Sequence, residues 1–191
     1  MDKPKKSGAA IFMYAVIAVT VVLSSVCLWL YYGNGTENEA VLWTGIVSFM
    51  IMYHLWLRII MGNVTKLFKI KRSHWFFKEK SFEKPLYKFL RVKKWKDKAL
   101  TYNPEAFSLK KHTLDEIADV MAKSETDHWV NEIISLISIL FSILWGEFWI
   151  FFATAVLAMI FDAQFIVIQR YNRPKVERII EKKLRLKEKL A

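Results

Sequence analysis

The sequence predicts an all-α, polytopic membrane protein with four transmembrane helices, a cytoplasmic interfacial region rich in basic and aromatic residues, and a basic C-terminal helix. Three observations support this fold class. Of the 191 residues, 54% are hydrophobic, which is high for a soluble domain. The apolar residues are gathered in blocks, and a helix needs roughly 20 of them to cross a bilayer. The net charge of +11 comes from basic residues that flank these blocks.

Two apolar blocks and one long apolar hairpin account for the four crossings. The hairpin is too long for one crossing and is suited to two. The predicted crossings are residues 9–32, 40–61, 130–146 and 149–169. Residues 63–128 then form the cytoplasmic interfacial segment and residues 170–191 the cytoplasmic tail. We therefore treat residues 1–191 as a single membrane domain.

The distribution of basic residues predicts the orientation. Lys3, Lys5 and Lys6 precede the first crossing, and further basic segments follow the second and fourth crossings. The connection between the first two crossings carries acidic residues and no basic ones. With four crossings, all basic segments fall on one side, which is cytoplasmic by the positive-inside rule. We expect a multi-pass protein of the cell membrane with both termini in the cytoplasm, and no role in binding nucleic acid.

The interfacial segment alternates basic residues with large aromatic ones between positions 66 and 98. This pattern is typical of a chain in the headgroup region of a bilayer. Adhesion to the membrane surface is one interpretation. The other is that Lys93, Lys94 and Lys96, which surround Trp95, hold the phosphates of an acyl donor.

The segment around His128 has the residue types of a catalytic base. A capping-box pair, Thr113 and Glu116, predicts a short amphipathic helix that leads up to it. Glu125 lies three residues before His128 and Glu132 four after it, so both acids share its helical face. A carboxylate on one ring nitrogen leaves the other nitrogen free to accept a proton. Glu125 is the predicted partner, and the alternative is that His128 is a packing residue.

Two ionisable residues within the crossings are further candidates for the substrate site. His54 lies in the second crossing and Asp162 in the fourth, where charge is costly. Asp162 should point into the bundle and bind a partner such as His54 or a hydroxyl on another crossing. The alternative for His54 is a neutral imidazole that is hydrogen-bonded inside the bundle. Arg58, near the cytoplasmic boundary, is expected to extend its guanidinium into the interface.

A polar cluster closes the fourth crossing. It consists of Gln169, Arg170, Tyr171, Asn172 and Arg173. Because a hairpin returns the chain to the side it left, we expect this cluster at the same membrane face as His128. Its donors are suited to a developing oxyanion or to a sugar. Pro174 should end or kink the helix, and the basic tail beyond it should lie at the membrane surface or in water.

Several common catalytic motifs are missing from the sequence. It contains no glycine-rich phosphate loop, no Gly-x-Ser-x-Gly elbow, and no His-Glu-x-x-His or Cys-x-x-Cys spacing. Its one cysteine, Cys27, lies in the first apolar block. We therefore expect no metal and no resident cofactor. The chemistry that remains is that of a histidine base acting on two bound reactants.

With these residues identified, the sequence resembles the glycosyl-4,4'-diaponeurosporenoate acyltransferase family of bacterial carotenoid biosynthesis. The resemblance runs from about Tyr53 to the tail, and the first crossing looks additional. It rests on three motifs: Val92–Lys98, Glu125 with His128-Trp129, and above all Gln169–Pro174. The resemblance implies a membrane-bound enzyme that esterifies a sugar hydroxyl of a glycosylated carotenoid with a fatty acyl chain.

These observations lead to one preferred function and two alternatives. The preferred function is transfer of a fatty acyl group from an acyl-CoA or acyl-carrier thioester to a hydroxyl of an amphiphilic glycosylated lipid or carotenoid. His128 would act as the base, Glu125 would steady it, and membrane lipids would surround the reactants. One alternative is a non-enzymatic lipid-binding or assembly subunit. The other is a small membrane methyltransferase, for which the sequence shows no nucleoside site.

Overall fold

The computed structural model describes residues 8–101 and 103–190. Lys3, Lys5 and Lys6, on which part of the predicted orientation depends, lie outside the described residues. Every regular element within the described ranges is a helix. Four helices are long and apolar enough to cross a membrane. The predicted fold class is therefore confirmed.

Seven α-helices lie within the described residues. They are α1 (Gly8–Leu28), α2 (Glu39–Val64), α3 (Glu83–Phe89), α4 (Val92–Trp95), α5 (Leu114–Ile137), α6 (Ser142–Trp145) and α7 (Phe148–Leu190). A π-helical turn at Trp29–Gly33 follows α1. The short helices α3 and α4 belong to the basic and aromatic segment between α2 and α5.

The capping box that the sequence predicts is present at the start of α5. The hydroxyl of Thr113 accepts from the backbone N–H of Glu116 at 3.2 Å, and the Glu116 carboxylate accepts from the Thr113 N–H at 2.7 Å. The helix then runs to Ile137 without a break, since it contains neither glycine nor proline. The expected short helix before His128 is thus not a separate element. It is the first half of the third long helix.

The last helix, α7, is much longer than one crossing. Its 43 residues span about 65 Å by helical rise, roughly twice the hydrocarbon thickness of a bilayer. Pro174 was expected to end or kink the helix. It does not end it, because α7 continues through it to Leu190. Proline removes only the backbone hydrogen bond to Arg170 O. Side-chain bonds of Arg170 and Arg173 hold the same turn in place.

The long helices pack in a fixed order. α7 packs along α5, α2 contacts both of them, and α1 packs along α2. A hydrophobic core forms at one end of the bundle from the buried residues Leu42, Ile46, Met50 and Phe151. α1 approaches α2 closely at Gly45, where a Cβ atom would lie 3.0 Å from the Leu28 side chain and 3.2 Å from Cys27 Cβ.

This close approach predicts that Gly45→Leu destabilises the pair of α1 and α2. Overpacking costs about 1–3 kcal/mol, so the thermal unfolding midpoint in detergent should fall by several degrees. Gly62→Leu is the matched control, because no heavy atom lies within 4 Å of a Cβ at that position of the same helix. An unchanged midpoint for the Gly45 variant would show that α1 does not pack on α2 in this way.

Candidate active site

Two buried polar clusters link α7 to its neighbours, the first among α2, α5 and α7 and the second among α3, α5 and α7. The Asp162 cluster consists of Asp162, Arg58, His128 and Asn131. The Glu125 cluster consists of Glu125, Arg170, Arg173 and Glu83. On α5, His128 is one turn away from Glu125, so the two clusters are neighbours.

Asp162 is the centre of the first cluster and is 0% exposed. Its Oδ1 lies 2.7 Å from Nδ1 of His128 and accepts from the Asn131 amide at 3.3 Å. Its Oδ2 accepts from the guanidinium of Arg58. The expectation that Asp162 finds a partner within the bundle is confirmed. The partners, however, are on α2 and α5 and do not include His54.

Arg58 corrects a prediction, because its guanidinium turns into the bundle and does not extend to the interface. One Nη atom donates to the carbonyl of His54 at 2.7 Å, and the other donates to Asp162 and to Ala158 O at 3.2 Å. The ring of Phe161 lies 5.5 Å from its Cζ atom. A buried carboxylate without a counter-charge would be strongly destabilising, which explains why the arginine faces inward.

His54 lies beside this cluster in α2 and is buried. Its Nδ1 is 3.4 Å from the hydroxyl of Ser135 on α5. Its Nε2, like Nε of Arg58 and Oδ1 of Asn131, is buried and has no hydrogen-bond partner among the described residues. Three buried polar atoms around Asp162 thus retain unused hydrogen-bonding capacity. Such atoms are costly in an apolar region unless a polar group reaches them.

His128 has the arrangement that a general base requires. Its side chain is 20% exposed, and its ring stacks on Phe165 with centroids 4.8 Å apart. With Asp162 accepting from Nδ1–H, the ring is fixed in the tautomer that has an unprotonated Nε2. No hydrogen bond to that Nε2 exists within the described ranges. The nitrogen is therefore available to take a proton from a substrate.

The predicted partnership of His128 with Glu125 is wrong. Glu125 is 0% exposed, and both of its oxygens are occupied by arginines of α7. Oε1 accepts from Arg170 at 2.6 Å, and Oε2 accepts from Arg173. Helical spacing places Glu125 and Glu132 near the imidazole, but packing against α7 brings it to Asp162 instead. The same bonds confirm that the α7 cluster lies next to the His128 segment.

Arg173 is buried and Arg170 is half-buried, and both are structural donors in this arrangement. Arg173 is 1% exposed, and its second Nη donates to the carbonyl of Phe77. Arg170 donates to Glu83 on α3 at 2.5 and 3.0 Å, in addition to Glu125. The two guanidinium groups therefore tie α7 to α3, α5 and the turn before α3. This geometry contradicts the expectation that they act as free donors for an oxyanion or a sugar.

The remaining residues of the predicted α7 cluster have different surroundings. Gln169 is buried and donates to the hydroxyl of Ser124 at 3.3 Å, which adds another link to α5. Tyr171 and Asn172 are half-buried. They are the members of the cluster whose positions leave them open to a ligand.

Tyr87 extends the Glu125 cluster into α3. Its hydroxyl donates to Glu83 Oε2 at 2.6 Å. Burial raises the pKa of Tyr87, and the hydrogen bond to Glu83 raises it further. The phenol therefore stays protonated and remains a donor at neutral pH. It fixes Glu83 in the position in which Arg170 binds it.

The predicted phosphate-binding residues separate in the structure. Trp95 donates from its indole N–H to Leu90 O at 2.9 Å, and Lys96 pairs with Asp97. Lys93 and Lys94 instead line a cleft of about 430 Å³ between α3, α4 and α7. Sequence reasoning missed the other basic residues of this cleft, although their spacing of three and four residues on α3 and α7 was available as a signal. They are Lys84, Lys88, Arg91, Lys175 and Arg178.

Comparisons with known proteins bear on the same part of the chain. A family model described as glycosyl-4,4'-diaponeurosporenoate acyltransferase matches residues 73–182, which is more than half of the chain. The matched range contains His128, Asp162 and the Glu125 cluster, and it leaves out α1 and α2. No curated protein and no solved structure matches the chain. Within the described ranges, no group of three or more histidine, cysteine or acidic side chains is placed to hold a metal ion.

The Glu125 cluster predicts that Glu125→Ala destabilises the protein severely. The change leaves two buried guanidinium groups without their shared acid, and breaking a buried ion pair costs about 3–5 kcal/mol. We expect a much lower unfolding midpoint and a low yield of monodisperse protein in detergent. Glu181→Ala, on the exposed end of α7, is the control and should match the wild type. Equal midpoints for the two variants would contradict the assigned role of Glu125.

Proposed function

Because the chain belongs to the glycosyl-4,4'-diaponeurosporenoate acyltransferase family, we propose that it transfers a fatty acyl group from a thioester donor to a hydroxyl of a glycosylated lipid or carotenoid, with His128 as the general base. The family makes the protein an acyltransferase of carotenoid biosynthesis. Its four long apolar helices make it a multi-pass membrane protein. These two facts favour an enzyme over a non-enzymatic lipid-binding subunit or a methyltransferase.

One observation carries the choice of base. The Nδ1 atom of His128 lies 2.7 Å from a fully buried carboxylate, Asp162, while the side chain remains 20% exposed. This combination fixes the ring, stabilises the imidazolium that forms, and keeps Nε2 accessible. It is the relationship that the acid and the histidine have in a catalytic triad, here with the substrate hydroxyl as the nucleophile.

The proposed reaction is a direct acyl transfer. The acceptor hydroxyl oxygen bonds to the thioester carbonyl carbon as Nε2 of His128 removes its proton. The tetrahedral intermediate then expels the thiolate, which takes the proton back from the imidazolium. The products are an ester and a free thiol, and the histidine returns to its starting state. The thioester, from coenzyme A or an acyl carrier, is a co-substrate, and the reaction uses no metal and no resident cofactor.

Arg58 and Asn131 are positioning residues in this proposal, because both act through Asp162. Their bonds hold the carboxylate in the orientation that meets His128. The buried Nε2 of His54 and Oδ1 of Asn131 have no partner among the described residues, so a polar group of the acceptor that reaches them would gain hydrogen bonds. Asn172, half-buried on α7, is a further proposed contact for the acceptor.

The surroundings of His128 suit two lipid-like reactants. Beyond it, α5 presents large exposed apolar residues such as Ile133, Leu136 and Ile137, which can lie against acyl chains of the donor and of membrane lipids. The basic and aromatic segment at residues 66–98, which precedes α5, is the interfacial part of the chain. We place this interfacial side and both termini in the cytoplasm, in the cell membrane, on the distribution of basic residues. Apolar walls then limit hydrolysis of the thioester by water.

The proposal predicts that His128→Ala abolishes acyl transfer while insertion into the membrane persists. Loss of a general base lowers turnover by about 10²–10⁴-fold. The measurement is incorporation of a labelled acyl group into a lipid extract by the purified protein in lipid. His112→Ala, which removes an exposed histidine, is the control and should keep wild-type turnover. Near-normal activity of the His128 variant would make this residue a packing residue.

A second prediction concerns Asp162 as the positioning residue for the base. Asp162→Asn should lower kcat by roughly 10³-fold or more and leave KM nearly unchanged, because the tautomer of His128 is no longer fixed. The change also leaves Arg58 unpaired, so stability must be separated from catalysis. The double variant Arg58→Met/Asp162→Asn should regain much of the thermal stability but not the turnover. Recovery of kcat in the double variant would overturn the assignment.

A further inference from the structure

The cleft between α3, α4 and α7 is lined mostly by basic residues, and packing of the long helices does not depend on them. Its volume is about 430 Å³. Seven basic side chains and one acidic side chain line it, together with Tyr87, Tyr171 and Pro174. The charged residues are Lys84, Lys88, Arg91, Lys93, Lys94, Lys175, Arg178 and Glu79.

Two sides of this cleft are formed by one face of α7 and one face of α3. On α7 the lining positions are 171, 174, 175 and 178, which form one face of the helix. On α3 they are positions 84, 87 and 88, again one face. The exposed residue Arg91 precedes α4 in a left-handed conformation, with φ of 50°, and turns the chain so that Lys93 and Lys94 close the third side.

Most of these cations are not neutralised by the protein. Glu79 pairs with Arg178 at 3.0 Å and lies 3.8 Å from Lys84. Lys175 lies over the ring of Tyr171, 3.2 Å from its centroid. Lys88, Lys93 and Lys94 are exposed and make no ion pair with any described residue.

Like charges gathered in a concave surface repel one another and focus a positive potential into the cleft. The arrangement therefore raises the free energy of the unliganded protein and lowers it when a polyanion is bound. The volume lies within the range of small-molecule sites. A ligand with several phosphates in a compact group matches both the shape and the charge.

We propose that this cleft binds the phosphorylated nucleotide end of a coenzyme A thioester. The inference rests on the proposed acyl transfer and names the class of its donor. Coenzyme A carries a diphosphate and a separate 3'-phosphate, so it offers three phosphate groups to the unpaired lysines. A phospholipid headgroup or the prosthetic group of a carrier protein usually offers one. The concave shape also suits a small molecule better than the convex surface of a carrier protein.

The position of the cleft fits the reaction at His128. Tyr171, in the cleft wall, is nine residues beyond Asp162 on α7, or roughly 14 Å by helical rise. The pantetheine arm is a long flexible chain that separates the phosphates from the thioester. A donor held by its phosphates at the interface can thus place its carbonyl at Nε2 and its acyl chain among the apolar helices.

The hydrogen bonds of the Glu125 cluster join the cleft to the active site. Tyr87 in the cleft wall donates to Glu83, Glu83 binds Arg170, and Arg170 binds Glu125 one turn before His128. These side chains are buried or nearly so. They fix the distance between the proposed phosphate site and the base.

The test measures the binding of adenosine 3',5'-bisphosphate, which has no thioester and no acyl chain. Titration calorimetry is carried out on the full chain in nanodiscs of phosphatidylcholine, which adds no net anionic lipid. Lys93→Gln/Lys94→Gln should weaken binding about tenfold, which corresponds to about 1.4 kcal/mol. The KM for acyl-CoA should rise by a similar factor with kcat unchanged. Lys182→Gln/Lys189→Gln removes the same charge from the exposed end of α7 and should change neither value.

The outcomes separate this inference from the proposed function. Equal losses in the two double variants, or no binding by the wild type, overturn the cleft as a nucleotide site. Displacement of the probe by phosphatidylglycerol at low mole fraction assigns the cleft to a lipid headgroup and also overturns it. Transfer that uses only an acyl carrier protein overturns it while leaving acyl transfer intact. Conversely, binding that depends on Lys93 and persists in His128→Ala supports the cleft even if no acceptor is esterified.

Discussion

The buried charge of Asp162 is the constraint on which the active-site end of the bundle depends. A carboxylate with no exposed surface inside an apolar bundle must be compensated by charge and hydrogen bonds from neighbouring helices. Arg58 supplies the charge from α2, and His128 and Asn131 supply hydrogen bonds from α5. The requirement thus fixes three helices relative to one another. It also orients His128, whose second ring nitrogen has no hydrogen-bond partner among the described residues.

The Glu125 cluster applies the same principle one turn closer to the interface. Helices in lipid gain little from hydrophobic burial against each other, so polar cross-links and close packing determine how they associate. Arg170 and Arg173 bind Glu125 and reach α3 and the turn before it, which attaches the interfacial segment to α7. This attachment forms the basic cleft. A histidine at the apolar boundary and a cationic cleft at the interface are what the proposed transfer from an amphiphilic, phosphorylated donor requires.

Sequence patterns predicted the helices better than they predicted the side-chain contacts between helices. The apolar blocks gave four membrane helices, and the capping-box pair gave the start of α5 at the correct residue. Both signals are local, since they depend on spacing along one segment. Pro174 does not end α7, because the effect of a proline on a helix depends on whether neighbouring side chains hold its turn. Here Arg170 and Arg173 do so, and α7 continues.

The sequence by itself determined that the chain is a membrane protein with a histidine and several acids near one boundary. Only the tertiary structure decided which acid serves the histidine. The sequence predicted Glu125 as the partner of His128 and Asp162 as a residue that points into the bundle, and the two acids differ in what faces them. Glu125 is bonded to the guanidinium groups of Arg170 and Arg173 on α7, whereas the imidazole of His128 lies against Asp162. Residue spacing along one helix fixes which side chains share a face, but the rotation and depth of the opposing helix fix which of them meet.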